Sequence, residues 1–121
     1  MESKAALGRA GQRAAEEHLR RHGYEILARN YRRARCEIDL IARREGYTVF
    51  VEVKTRRGRR YGAPREAVTP AKQRHIIQAA WAYVAEFGVA GDLRFDVVEV
   101  TVRNGEMLVE QIENAFQVRD G

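Results

Sequence analysis

The sequence predicts an α/β fold, a single mixed-sheet domain flanked by helices in the order αβββαββ, and three observations lead there. Two segments repeat apolar residues at helical spacing, two pairs of short β-rich runs are joined by tight-turn residues, and 121 residues suit one domain spanning 1–121. Hydrophobic residues make up 45% of the chain and charged residues 32%, which argues for a compact fold and against disorder. No apolar run approaches the roughly 18 residues needed to span a bilayer, so no membrane partner is expected. Met1-Glu2-Ser3-Lys4 leads into an Ala-rich, charge-dotted segment without the apolar block of a secretory signal, and the expected location is the cytoplasm. Cys36 is the single cysteine, which excludes an intrachain disulfide and a cysteine-based zinc site.

Ser3 caps a helix running to about Arg21, with Leu7, Ala10, Ala14, Ala15 and Leu19 as its apolar stripe and Gly23 as its stop. Tyr24 to Tyr31 reads as a short strand. Cys36 to Arg43 and Tyr47 to Lys54 are stronger strands that form a hairpin through Glu45-Gly46. Thr69-Pro70 then supplies an N-cap and a first-turn proline for a helix that runs to Phe87 and stops at Gly88. Its expected buried stripe is Ile76, Ile77, Ala80, Trp81, Val84 and Phe87. Leu93 to Val102 and Met107 to Ile112 form a second hairpin around Asn104-Gly105.

The formal net charge is +5, from 22 Lys plus Arg against 17 Asp plus Glu, and it is unevenly placed. Lys54, Arg56, Arg57, Arg59, Arg60 and Arg65 form a basic segment without an acid, and Arg29, Arg32, Arg33 and Arg35 form a second cluster. The planar guanidinium fork matches phosphate oxygens, so either a polyanion partner or a solvated arginine-rich surface explains both clusters. The segment from Arg56 to Arg65 is expected as a loop or short extension, with Tyr61 in it.

With Glu45 and Gly46 as the loop, residues directly opposed in the first hairpin have numbers summing to the same value. One face then carries Ile38, Leu40 and Ala42 against Val53, Val51 and Val49, an apolar core face. The other pairs Arg43 with Thr48, Ile41 with Phe50, Asp39 with Glu52 and Glu37 with Lys54. Like charges opposed on a sheet are unfavourable, and a hard divalent cation such as Mg²⁺ is a natural partner for Asp39 and Glu52. Lys54 returns to the same face two residues on and can hold or polarise a water. The plainer reading is a salt-bridge cluster that balances charge.

Asp39 followed by Glu52-Val53-Lys54 resembles the D…E-x-K core of the PD-(D/E)XK nuclease superfamily. More closely, the segments 37–42 (EIDLIA), 50–56 (FVEVKTR), 61–62 (YG) and 94–98 (RFDVV), with Gly23-Tyr24 and Asn30-Tyr31-Arg32, resemble the YraN-like bacterial proteins over nearly the whole chain. The resemblance implies a restriction-endonuclease-like fold similar to Holliday-junction resolvases, with Asp39 and Glu52 binding Mg²⁺ or Mn²⁺ and Lys54 assisting the attacking water. Related resolvases place a further acid on the first helix. Here Gly11-Gln12 stands where Gly-Glu is usual, which leaves Gln12, Glu16 one turn on, and Glu37 as accessory candidates.

Three functions follow. The first is a metal-dependent DNA endonuclease in which Asp39, Glu52 and the Val53 carbonyl hold the cation, Lys54 orients water, and Arg56, Arg57, Arg59, Arg60 and Lys72 contact nucleic acid, including branched DNA. A homodimer would bring two such sites to a junction. The second is a non-catalytic nucleic-acid-binding accessory protein, and the third a protein-interaction module. His18, His22 and His75 have no metal spacing, and Asp96 reads as a structural hydrogen-bond acceptor.

Overall fold

The computed structural model describes residues 3–58 and 68–118. Helix α1 (Lys4–Arg21) leads to strands β1 (Glu25–Arg33), β2 (Cys36–Arg44) and β3 (Tyr47–Arg57). Helix α2 (Pro70–Phe87) and strands β4 (Asp92–Arg103) and β5 (Glu106–Phe116) follow. The five strands form one sheet in the order β1-β2-β3-β4-β5. Only the central β3–β4 pair is parallel, because the α2 crossover returns the chain in the same direction. This is the mixed α/β architecture that the sequence predicts, and it is consistent with a restriction-endonuclease-like fold.

Each helix covers one face of the sheet. Ala15 and Leu19 of α1 pack on Leu40, Ala42, Val49, Val51, Val98 and Val100. On the opposite face Ile76, Ala79, Ala80 and Tyr83 of α2 cover Ile41, Phe50, Phe95 and Val97. The α2 stripe therefore differs from the expected one. Trp81 is 51% exposed and Phe87 59%, whereas Ala79 and Tyr83 are buried. The 76-79-80-83 spacing is a complete helical face, with two alanines letting the helix approach and the Tyr83 ring meeting Phe50 and Tyr31 edge-on. Trp81 lies about 100° around the helix from Ala80 and is rotated out.

Both hairpins have the expected turns. Glu45 and Gly46 have φ of 50° and 83°, and Asn104 and Gly105 have φ of 52° and 78°, so each two-residue loop takes the mirror-image turn that suits twisted strands. The hairpin register holds from Arg44↔Tyr47 to Leu40↔Val51. Beyond it the alternation slips at Asp39. Ile38, expected beside Leu40 and Ala42, packs instead with Cys36 and Ile41 on the α2 face. Strand β3 also outruns its expected end at Lys54, since Arg56 and Arg57 pair with Thr101 and Val102 of β4. These two arginines form a short extension of β3, one of the two forms expected for the segment that starts at Arg56; Arg59, Arg60, Tyr61 and Arg65 lie outside the described residues.

Asp96 is fully buried and is the structural acceptor that the sequence suggests. It takes hydrogen bonds from Arg94 Nε and Nη2 (both 2.9 Å), Gln111 Nε2 (2.9 Å) and the backbone N–H of Asn114 (3.0 Å). The last bond holds β5 to β4 across the register shift between Phe95 and Val97.

Helix α1 is seated by a glycine. A Cβ on buried Gly11 would lie 1.9 Å from Thr55 Oγ1 and 2.8 Å from Thr55 Cβ, so only glycine allows the helix to lie this close to β3. Gly8, one turn earlier, has nothing within 4 Å. Gly11→Ala is therefore expected to destabilise the fold by about 1–3 kcal/mol through overpacking, with partial recovery in the Gly11→Ala/Thr55→Ala double variant. Gly8→Ala should stabilise it by about 0.5–1 kcal/mol. Urea midpoints of the four proteins check both signs.

Candidate functional site

The register slip at Asp39 builds the site. Where the next ladder pair after Leu40↔Val51 would form, Asp39 Oδ2 instead accepts the Val53 backbone N–H at 2.8 Å. A side chain has taken over a backbone acceptor's place, and strands β2 and β3 part there. The N–H and C=O of one strand residue point to the same side, so the Val53 carbonyl also faces β2 and Asp39. Val53 stays paired to β4 through its neighbours, as the β3–β4 register runs unbroken from Tyr47 to Arg57.

Glu52, on the α2 side of β3, reaches the same gap. Its side chain is 5% exposed, and the Asp39 carboxyl is its acidic neighbour. Burial, then the neighbouring Asp39 carboxyl, push the Glu52 carboxyl up to about 8. Lys72 Nζ, 3.5 Å from Glu52 Oε2, and the charge of Lys54 act in the opposite sense and are outweighed. Glu52 thus holds a proton beside the Asp39 carboxyl, and a cation placed between the two groups would replace it. The donor set fits a hard divalent ion: two carboxylates and an adjacent backbone carbonyl, with water and phosphate to complete the shell. Among the described residues no three His, Cys, Asp or Glu side chains converge as a metal cluster.

The structure brings Asp39, Glu52 and Lys54 together and adds Lys72, which the sequence offered only as a nucleic-acid contact. The accessory candidates are placed differently. Gln12 Nε2 donates to Asn30 Oδ1 (3.0 Å) and lies 3.4 Å from the Asp39 carbonyl oxygen, so this helix residue borders the site and braces its backbone. Glu16 is held by Arg29 and Arg20, which lower its carboxyl from the ordinary value. Glu37 does not meet Lys54 across a ladder, as expected from the register. It accepts from Asn30 Nδ2 at 3.3 Å and lies 3.4 Å from Arg32 Nε, because the parting of the strands leaves it on the β1 side. Asn30 is the residue that sequence reasoning missed. Its positive φ of 50° in a strand aims its amide between Gln12 and Glu37, and the Asn-Tyr pair gave no periodic signal of that conformation.

Glu52 also makes stability depend on pH. The folded chain holds this proton to about pH 8, whereas the unfolded chain releases it around the ordinary value of 4.5. The unfolded state binds fewer protons in that window, so stability falls as pH rises through it. Urea midpoints in cation-free buffer at about pH 5 and about pH 8 should show the fall in the native protein, and Glu52→Gln should remove most of the slope. An unchanged slope in Glu52→Gln would assign the dependence elsewhere.

Residues 11–100 match the family described as Uncharacterised protein family UPF0102. A UPF0102 protein of Symbiobacterium thermophilum is 54% identical over 112 residues, covering 91% of this chain and 95% of that protein. UPF0102 proteins of Bacteroides fragilis (40% identical, 91% of each chain) and Chlorobium chlorochromatii (46% identical, 96% of this chain and 95% of that one) are similar over the same extent. The match spans α1 from Gly11, the hairpin that carries Asp39 and Glu52, helix α2 and most of β4. This chain belongs to the UPF0102 family.

Proposed function

We propose that the protein is a divalent-metal-dependent DNA endonuclease of the PD-(D/E)XK type. The observation that carries the reading is the pair of neighbouring carboxyls, Asp39 and Glu52, at the point where β2 and β3 part, with the charge of Lys54 acting on Glu52. Asp39, Glu52 and the Val53 carbonyl would hold Mg²⁺ or Mn²⁺. The bound ion supplies positive charge against the scissile phosphate and makes an attacking water more acidic. Asp39 is pre-aligned by its bond to the Val53 N–H, and Glu52 is fixed by burial, so neither carboxylate needs to reorganise. Lys54 orients the water and Lys72 steadies the outer oxygen of Glu52. Arg56 and Arg57, carried past the site on the extension of β3, contact phosphates together with Arg59 and Arg60.

Branched DNA is the preferred substrate in this reading, and a homodimer would cut its two strands. Gln12 favours a second reading, a DNA-binding accessory protein without cleavage, because it stands at the site's edge with only a neutral oxygen where related resolvases use an acid.

Incubation of linear and four-way-junction DNA with Mn²⁺ separates the two. Cleavage is expected with the native chain, with rates at least about 100-fold lower for Glu52→Gln and Asp39→Asn and a smaller loss for Lys54→Ala. Metal-dependent binding without cleavage by the native chain would favour the accessory reading. Sedimentation with junction DNA tests the dimer, and a monomer on the junction would remove paired cutting while leaving single-strand nicking.

A further inference from the structure

The site opens into a cleft between α1 and β1 with a volume of about 840 Å³, floored by Asp39, Val53 and Thr55. Arg9 and Arg13 of α1 form one wall, and Arg29 and Arg32 of β1 the other. The two pairs differ in what neutralises them. Arg29 Nε lies 3.0 Å from Glu16 Oε2, and Arg32 Nε lies 3.4 Å from Glu37 Oε1. Arg9 and Arg13 are exposed and have no ion pair among the described residues, although they share the cleft with Glu16, Glu37 and Asp39.

This placement opposes helix stability. Arg9 and Arg13 are four residues apart on one face, where like charges repel. They stand in a half-helix with no acid from Ser3 to Ala15. An anion in the cleft offsets that repulsion. The wall also leaves room for a ligand to approach, since Ala5 and Gly8 line it and a Cβ on Gly8 would meet nothing within 4 Å.

The four-residue spacing puts the two arginine positions about 6 Å apart along the helix axis. Two forks in a row suit successive phosphates of one strand better than a single small anion. We propose that the α1–β1 cleft seats the phosphate backbone of the DNA strand, with Arg9 and Arg13 as phosphate-binding residues that lead it to Asp39. The proposal rests on the DNA reading above but assigns the contacts to a different surface from the β3 extension.

Fluorescence anisotropy with a labelled duplex oligonucleotide tests it in the Glu52→Gln background, which keeps the probe uncut. Arg9→Gln/Arg13→Gln should weaken binding at least about tenfold at 0.1 M salt and lower the slope of log K against log salt by about 2, while each single substitution lowers it by about 1. Arg43→Gln/Arg103→Gln removes the same charge from exposed positions outside the cleft and should change affinity less than about twofold. Equal losses in the two double variants, or none in the cleft variant, would overturn the proposal, as would failure of the parent to bind DNA. Cleft-dependent binding by a chain that never cuts would defeat the nuclease reading alone. Cleavage with unchanged KM in the cleft variant would defeat the cleft alone.

Discussion

The bond from the Val53 N–H to the Asp39 carboxylate is the constraint around which the rest of the site is arranged. A backbone donor in a sheet needs an acceptor, and a strand partner normally supplies one. Here a carboxylate does so at 2.8 Å, which satisfies the donor, fixes the acid, and lets β2 separate from β3 without leaving an orphaned amide. Everything on the open side follows. Ile38 turns to the α2 core, Glu37 turns to Asn30 and Arg32, and the space that a sixth hairpin pair would fill becomes a gap lined by acids. The opposite edge of β3 stays fully paired with β4, so the gap opens beside a rigid strand.

Helix α1 is brought to that gap by a steric condition. Gly11 lies directly on Thr55, and the missing side chain sets the helix height over β3. At that height the next residue, Gln12, reaches both Asn30 and the Asp39 carbonyl. Leu19 and Ala15 anchor the rest of the helix in the α1-side core, while the Arg9–Arg13 segment lies beyond it over the cleft. The helix thus joins a buried face, Gly11, Ala15 and Leu19, that determines its position to an exposed face whose charges contribute nothing to packing.

How much of this was legible in the sequence depended on the range of the interaction concerned. The element order, the caps at Ser3 and Thr69 and both two-residue turns are set by neighbours in the chain, and the structure has all of them. The hairpin register was legible for the same reason as far as Leu40↔Val51. It failed at Asp39 because period-two reasoning assumes backbone acceptors throughout, and a side chain that replaces one leaves no trace in the hydrophobic pattern. Trp81 was misplaced because hydrophobicity alone does not distinguish two faces that both carry apolar residues; small Ala79 decides which one approaches the sheet. The closeness of Asp39 to Glu52 was expected from spacing, although the direct ladder pairing from which it was read does not form. Lys72 on Glu52 and Arg9 beside Asp39 were not legible, since each depends on where a helix lands on the sheet.

The electrostatics of the pair explain why such a site is kept open at some cost. Two neighbouring carboxyls, one of them nearly excluded from solvent, hold a proton near neutral pH even with two lysines close by. Lys72 is 39% exposed, so much of its field is spent on solvent, and it cannot settle between the oxygens as a small ion can. The fold therefore leaves a charge requirement that its own side chains do not meet. A group that binds only the folded state stabilises it in proportion to its affinity and concentration. A divalent cation at Asp39 and Glu52 would displace the proton and relieve the repulsion that burial imposes. With that charge in place, Asp39 would no longer oppose a phosphate held by Arg9 and Arg13 in the cleft. In the nuclease reading proposed above, cation and polyanion binding would be coupled through Asp39, so each should tighten the other.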